Sequence, residues 1–144
     1  MPRHRLVKRL GNPKDDRPTP DDFFAPIMDE FEFVLDAAAS AENAKCKRYF
    51  TVEDDGLAQS WEPGPVWCNP PYSETGLWVQ KAVQEQENGV TTVMLVPAST
   101  DVAWFHDLAL PNAEIRFVRG RLCFGNTSGR APFGSLLLIF KGKQ

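Results

Sequence analysis

Short continuous apolar runs alternate with stretches of helical spacing along this chain of 144 residues. Runs of this length with β-branched and aromatic residues are typical of strands buried on one or both faces. Such runs lie at 31–35, 65–68, 91–96, 114–118 and 135–140. Apolar residues at intervals of three and four predict helices at 20–30, 74–87 and 102–110.

The order of these elements predicts an α/β fold. Strands that alternate with helices form a mainly parallel, twisted sheet flanked by helices. Such a sheet binds ligands beyond the carboxyl ends of its strands, where the strand order reverses. Asp36 directly follows the first run at 31–35, and Asn69 directly follows the second run at 65–68. We therefore expect both side chains at one edge of the sheet, beside a ligand.

The start of the first helix separates a tail from a domain. Thr19 is the predicted N-cap and Pro20 the first helical residue. Residues 1–18 are basic and lack periodicity, which predicts a flexible tail ahead of a single domain at 19–144. The net charge of −3 argues against a uniformly basic nucleic-acid binder, although a basic tail can contact phosphates. A solvated tail without a partner is an equally open interpretation.

The cysteines, the histidines and the length of the apolar runs argue against a metal site and against a membrane-spanning segment. Three cysteines and two histidines are too widely spaced to predict a metal site. No apolar run approaches the roughly 20 residues of a membrane span, so we expect no membrane partner. An odd number of scattered cysteines favours a reducing, cytoplasmic location.

The most informative motif is Asn69-Pro70-Pro71-Tyr72, which closes the run at 65–68. Proline fixes φ and lacks an N–H, so this turn holds backbone carbonyls outward as acceptors. The Asn69 amide oxygen and the Tyr72 ring are presented beside them. Two acceptors and a flat ring suit an exocyclic amine on a planar heterocycle. The motif therefore indicates transfer of a methyl group to such an amine.

With these motifs placed, the chain resembles the amino-methyltransferases that use S-adenosylmethionine. It is most similar to the phage-type DNA N-6-adenine methyltransferases, often called Dam-like. The resemblance covers nearly everything after the tail. The motifs that carry it are Thr19-Pro20-x-x-Phe23, Leu35-Asp36-Ala37-Ala38, Glu53-Asp54-Asp55-Gly56-Leu57, Trp67-Cys68-Asn69-Pro70-Pro71-Tyr72, Leu95-Val96-Pro97-Ala98 and Gly120-Arg121-Leu122-x-Phe124.

The resemblance implies a compact Rossmann-like methyltransferase domain, phage- or prophage-encoded, that methylates the N6 amine of adenine in DNA. The adenine would flip out of the duplex onto the Asn-Pro-Pro-Tyr turn. The catalytic residues implied are Asn69, Pro70, Pro71 and Tyr72. The residues implied to bind S-adenosylmethionine are Thr19, Phe23, Asp36, Ala37, Ala38, Asp54, Asp55 and Asn69.

Two departures from the family pattern keep alternatives open. Alanines follow Asp36 where the family usually has glycines, and only about thirty residues separate Asp36 from Asn69. The region between the first strand and the Asn-Pro-Pro-Tyr strand is therefore expected to be abbreviated. The same chemistry on RNA bases or protein glutamine is one alternative, and a non-catalytic nucleic-acid-binding relative is another. A monomer and a homodimer are both compatible with the sequence.

Overall fold

The computed structural model describes residues 17–125 and 129–144. The predicted tail, apart from its last two residues, and the middle of the glycine-rich loop at 125–134 lie outside these ranges. The described residues contain a five-stranded sheet with helices on both of its faces. The strands are β1 (Leu35–Asp36), β2 (Val66–Cys68), β3 (Thr92–Pro97), β4 (Glu114–Phe117) and β5 (Ser135–Phe140).

Three helices accompany the sheet: α1 (Asp21–Phe31), α2 (Thr75–Glu87) and the short α3 (Leu110–Asn112), which continues a π-helical turn at Phe105–Ala109. Helix α1 ends where Glu32 adopts a left-handed conformation with φ of 54° and donates its N–H to the Met28 carbonyl. Helix α2 ends at Asn88, before Gly89 with φ of 85°. The predicted helices at 20–30 and 74–87 are confirmed to within two residues, and the one predicted at 102–110 is formed by the π-helical turn and α3.

The sheet is mixed, which corrects the expectation of a mainly parallel one. The strand order is β1-β2-β3-β5-β4, with β1, β2 and β3 parallel and β5 antiparallel to both of its neighbours. Apolar runs carry no information about strand direction, so the reversed β5 could not be read from the sequence. The order also advances steadily from β1 to β3, so no reversal of strand order separates the strands that end at Asp36 and Asn69.

The first strand is much shorter than predicted. Phe31 belongs to α1, and Phe33 packs against Phe24 and Trp67 without joining the sheet. A single isolated bridge joins Tyr49 to Asp36 outside the named strands. Among the described residues between β1 and β2, the only regular helix is one 3₁₀ turn at Gly56–Ala58. The described residues of this region therefore contribute no named strand to the sheet.

Two apolar layers hold the sheet between the helices. On one face, Trp78, Val79 and Ala82 of α2 pack with Met94 and other strand residues. On the opposite face, Phe24 and Ile27 of α1 pack with alternate residues of β3 and β5. The first five residues of β3 are all buried because both faces of this strand are covered. The strand ends, where the predicted site lies, therefore project from a rigid core.

Candidate active site

Asp36 and Asn69 lie at the same edge of the sheet, as the sequence predicted. The parallel pairing of β1 with β2 sets Asp36 beside Trp67, and the Ala37 N–H donates to the Trp67 carbonyl at 2.9 Å. Asn69 directly follows the last residue of β2. The chain therefore leaves β1 and β2 side by side, and this edge carries both predicted polar groups.

The amide of Asn69 is held in one orientation by two hydrogen bonds. Its Nδ2 donates to the Arg17 carbonyl at 2.5 Å and to the Thr19 Oγ1 at 3.0 Å. A backbone carbonyl only accepts, so the amide nitrogen must be the atom that faces Arg17. The Asn69 Oδ1 is buried and has no hydrogen-bond partner among the described residues. The site therefore contains a fixed acceptor whose lone pairs bind no described residue.

Thr19 does not cap α1, contrary to the sequence prediction. The residue before α1 is Pro20, with extended φ and ψ of −60° and 136°, and no side chain caps the helix. Because the helix begins two residues after Thr19, the threonine hydroxyl lies outside its first turn. The buried Thr19 instead accepts a hydrogen bond from Asn69. The N-cap prediction was wrong, and the side chain orients the amide of Asn69.

Two local hydrogen bonds, one from a backbone N–H and one from a threonine hydroxyl, fix the turn after Asn69. The Pro71 carbonyl accepts the Glu74 N–H at 2.9 Å and starts a 3₁₀ turn at Tyr72–Glu74. The Thr75 Oγ1 donates to the Tyr72 carbonyl at 2.9 Å, and α2 follows directly. The two prolines and these bonds together hold Tyr72 in a defined position beside Asn69.

Three aromatic rings form what we call the aromatic cage: Tyr72, Phe124 and Phe133. The Tyr72 ring meets Phe124 and Phe133 edge-on, at centroid distances of 6.2 and 5.6 Å. The guanidinium carbon of Arg17 lies 5.6, 5.9 and 5.0 Å from the centroids of Tyr72, Phe124 and Phe133. Cations within about 6 Å of a ring centroid are attracted by the ring quadrupole. The cage therefore binds a flat, positively charged group.

The hydroxyl of Tyr72 contributes little polarity to this cage. It is buried and has no hydrogen-bond partner in the part of the chain that the structure describes. Burial raises the pKa of Tyr72 well above its usual value, and the neighbouring Arg17 opposes that rise only in part. Tyr72 therefore remains a neutral ring at physiological pH, which suits stacking rather than proton transfer.

Asp36 is a buried acid at the end of β1, with 2% of its surface exposed. Its Oδ2 accepts the Lys45 N–H at 2.9 Å, and its Oδ1 accepts the Ala38 N–H at 3.4 Å. Burial raises the pKa of Asp36 to about 7, although the two N–H donors act in the opposite direction. A buried carboxylate of this kind favours a cationic or hydrogen-bond-donating ligand.

The chain also matches known proteins. Residues 8–142 match the family model described as DNA N-6-adenine-methyltransferase (Dam). The chain belongs to this family. It is 35% identical to the DNA N-6-adenine-methyltransferase of Escherichia phage T1 over 106 residues, which cover 72% of the chain and 44% of that protein.

A second relative supports the same family. The chain is 33% identical to the DNA N-6-adenine-methyltransferase of Haemophilus phage HP1 (strain HP1c1) over 104 residues. This match covers 71% of the chain and 55% of that relative. The chain thus spans about half the length of the curated relatives it matches.

The other residues that the resemblance implies for S-adenosylmethionine binding lie at separate positions near β1. Ala37 is buried, and Gly56 packs so closely on it that a Cβ there would lie 2.4 Å from the Ala37 carbonyl oxygen. This contact holds the buried Asp55 near the end of β1. Asp54 is exposed, and its Oδ2 already accepts the N–H and the hydroxyl of Thr51.

Ala38 and Phe23 were also predicted to bind the cofactor, and both pack against the apolar core. Ala38 is half-buried and packs against the core on the α2 face of the sheet. Phe23 is half-buried in α1 and packs against the aromatic core around Trp67. An open cavity of about 470 Å³ lies between α1 and residues 42–45. It is lined by neighbours of Phe23 and Asp36, but not by Asn69 or Tyr72.

Sequence reasoning missed the aromatic cage. Phe124 ends one of the family motifs, Phe133 lies in the glycine-rich loop at 125–134, and Arg17 belongs to the predicted tail. The available signal was the position of two phenylalanines on either side of a glycine-rich loop. Their closeness to Tyr72 depends on contacts between distant parts of the chain, which periodicity does not report.

Within residues 17–125 and 129–144, no three His, Cys, Asp or Glu side chains gather as a metal site. Among the helices that the structure describes, none has the length and apolar character needed to cross a membrane.

Proposed function

We propose that this chain transfers the methyl group of S-adenosylmethionine to the N6 amine of adenine in DNA. The observation that carries the proposal is the Asn69 amide, whose orientation is fixed and whose buried oxygen lacks a partner among the described residues. The names of the two phage relatives support the choice of adenine and DNA.

Asn69 and Pro70 act on the accepting nitrogen. The Asn69 Oδ1 and the Pro70 carbonyl accept the two N6 hydrogens and direct the nitrogen lone pair away from them. As the nitrogen gains positive charge, both acceptors bind its hydrogens more strongly, so they stabilise the transition state more than the ground state. The methylated nitrogen is acidic and loses its extra proton afterwards without a strong base.

The aromatic cage is the subsite for the accepting base. An adenine paired inside a duplex cannot reach Asn69, so it must leave the stack at a cost of a few kcal/mol. Stacking on an aromatic side chain returns about 1–3 kcal/mol per base. A base that stacks on Tyr72 within the cage takes the place of the Arg17 guanidinium, because both need the same ring faces.

The residues beside the cage fit the methyl donor. S-adenosylmethionine supplies a methyl group on a positively charged sulfonium, and it also carries an ammonium, hydroxyls and an amine that need acceptors. Asp36 offers two carboxylate oxygens, each with a lone pair beyond the bonds to Lys45 and Ala38. The buried Asp55 and the exposed Asp54 are both candidates for a second acidic contact.

Nucleoside mass spectrometry tests this proposal directly. The purified chain is incubated with S-adenosylmethionine and unmethylated DNA, and the digested DNA is searched for N6-methyladenine. The proposal predicts N6-methyladenine that depends on both protein and cofactor. Methylation confined to cytosine, or S-adenosylmethionine binding by calorimetry without any methylated base, would contradict it.

A further inference from the structure

Basic and acidic residues are separated along the chain. Residues 115–144 contain six lysines and arginines and no aspartate or glutamate. Residues 19–114 contain four basic and seventeen acidic residues. A cationic region that follows such an acidic one in the chain creates a local field that attracts phosphates despite the negative net charge.

The six cations of this region fall into two groups. Three form ion pairs with acidic residues: Arg116 with Glu30 and Glu114, Lys141 with Glu114, and Lys143 with Glu87. The other three, Arg119, Arg121 and Arg130, are exposed. They form no ion pair with any residue that the structure describes.

The unpaired arginines belong to the segment that builds the aromatic cage. Strands β3 and β4 are both antiparallel to β5, so β4 ends at the edge of the sheet that carries Asn69. Arg121 precedes Phe124 by three residues, and Arg130 precedes Phe133 by three. Three residues span at most about 11 Å, which keeps these arginine backbones close to the cage.

Phe117 adds an apolar group to the same edge. It is the last residue of β4 and is 80% exposed, the highest value among the large apolar residues that are exposed. An exposed aromatic ring beside unpaired cations is the combination that proteins use to stack on bases while they hold the phosphate backbone. We define Phe117, Arg119, Arg121 and Arg130 as the basic edge.

We propose that the basic edge is the surface that binds the DNA backbone next to the flipped adenine. Arg119, Arg121 and Arg130 contact phosphates within a few nucleotides of the cage, and Phe117 packs on an adjacent base. This inference rests on the proposed function and assigns its substrate-binding surface. It also explains how an acidic chain holds a polyanion at one edge of its sheet.

The salt dependence of DNA binding tests the proposal. A triple variant, Arg119→Gln, Arg121→Gln and Arg130→Gln, is compared with wild type on a short unmethylated duplex at several salt concentrations. Each lost phosphate contact should reduce the slope of log K against log salt by about 0.9, so the triple variant should lose between two and three. Phe117→Ser should weaken binding about tenfold without changing this slope.

A matched control uses cations from the opposite edge of the sheet. Because β5 is antiparallel to β3, Lys141 and Lys143 follow the strand end that lies farthest from Asn69. The double variant Lys141→Gln and Lys143→Gln should keep the wild-type slope. An equal loss in this control would show that net charge, and not the basic edge, decides binding.

The remaining outcomes separate this inference from the proposed function. If wild type forms N6-methyladenine and the folded triple variant keeps the full slope, the basic edge is wrong and the function stands. If wild type forms none and the triple variant still loses the slope, the surface stands and the function fails. If Phe117→Ser abolishes a dimer seen by ultracentrifugation, Phe117 contacts a second copy and its assignment to DNA is overturned.

Discussion

The guanidinium carbon of Arg17 lies 5.0 Å from the centroid of the Phe133 ring, inside the aromatic cage. The backbone carbonyl of the same arginine accepts the Nδ2 hydrogen bond of Asn69. Arg17, which precedes α1 in the chain, therefore contacts both parts of the site. These are the rings that would hold a base and the amide that would hold its amine.

The first prediction concerns the stability that Arg17 provides. Arg17→Ala should lower the free energy of unfolding by about 1–2 kcal/mol, because a desolvated cation over aromatic rings is lost. Urea denaturation provides the measurement. Arg121→Ala is the control: this exposed arginine should change the stability by less than about 0.5 kcal/mol. Equal effects of the two variants would contradict the cage assignment.

The second prediction concerns the hydroxyl of Thr19. Thr19→Val removes one acceptor of the Asn69 amide while the Arg17 carbonyl remains, so kcat should fall about tenfold. Calorimetry should give an unchanged affinity for S-adenosylmethionine. Thr19→Ser keeps the hydroxyl and should retain most of the activity. If serine were as inactive as valine, the hydrogen bond would not be the cause.

The third prediction separates the ring of Tyr72 from its hydroxyl. Tyr72→Phe keeps the stacking surface and removes a buried hydroxyl without a described partner, so stability and kcat/KM should change little. Tyr72→Ala should lower kcat/KM on duplex DNA by roughly tenfold to a hundredfold through lost stacking. Steady-state kinetics check both variants. A phenylalanine variant as impaired as the alanine variant would make the hydroxyl the functional group.

The fourth prediction follows from the raised pKa of Asp36, which is about 7 against 3.8 for the exposed group. Between these values the folded chain keeps a proton that the unfolded chain releases. The free energy of unfolding should therefore fall as pH rises through this window, by up to about 1.4 kcal/mol per pH unit.

Asp36→Asn cannot ionise and should lose this pH dependence between pH 5 and 7 in urea denaturation. The control is Asp21→Asn. A hydrogen bond from Lys45 lowers the pKa of Asp21, so its pH effect lies below pH 4. Parallel pH profiles for wild type and Asp36→Asn would show that Asp36 is not the source of the trend.

The sequence predicted the elements whose signals are local. The bounds of β5 are those of its apolar run at 135–140, because the run is buried along its whole length. The position of Asn69 at a strand end followed from the proline pair that terminates β2. The shortened connection between β1 and β2 followed from the small number of residues between Asp36 and Asn69.

What the sequence did not predict depends on contacts between distant residues. Phe31 has strand-like neighbours, but helix α1 continues through it and ends only at Glu32. Thr19 matches an N-cap pattern, yet the competing bond from Asn69 determines its position. The cage brings Arg17 and Phe133 together from opposite ends of the described chain, and no local pattern encodes that contact.

The most direct test of the central claim is the single-turnover rate of methyl transfer to DNA by Asn69 variants. If the Asn69 Oδ1 accepts the adenine amine, Asn69→Ala should slow transfer by about a hundredfold or more while S-adenosylmethionine still binds. Asn69→Asp keeps an acceptor oxygen at this position and should remain faster than Asn69→Ala. A wild-type rate for Asn69→Ala would contradict the account.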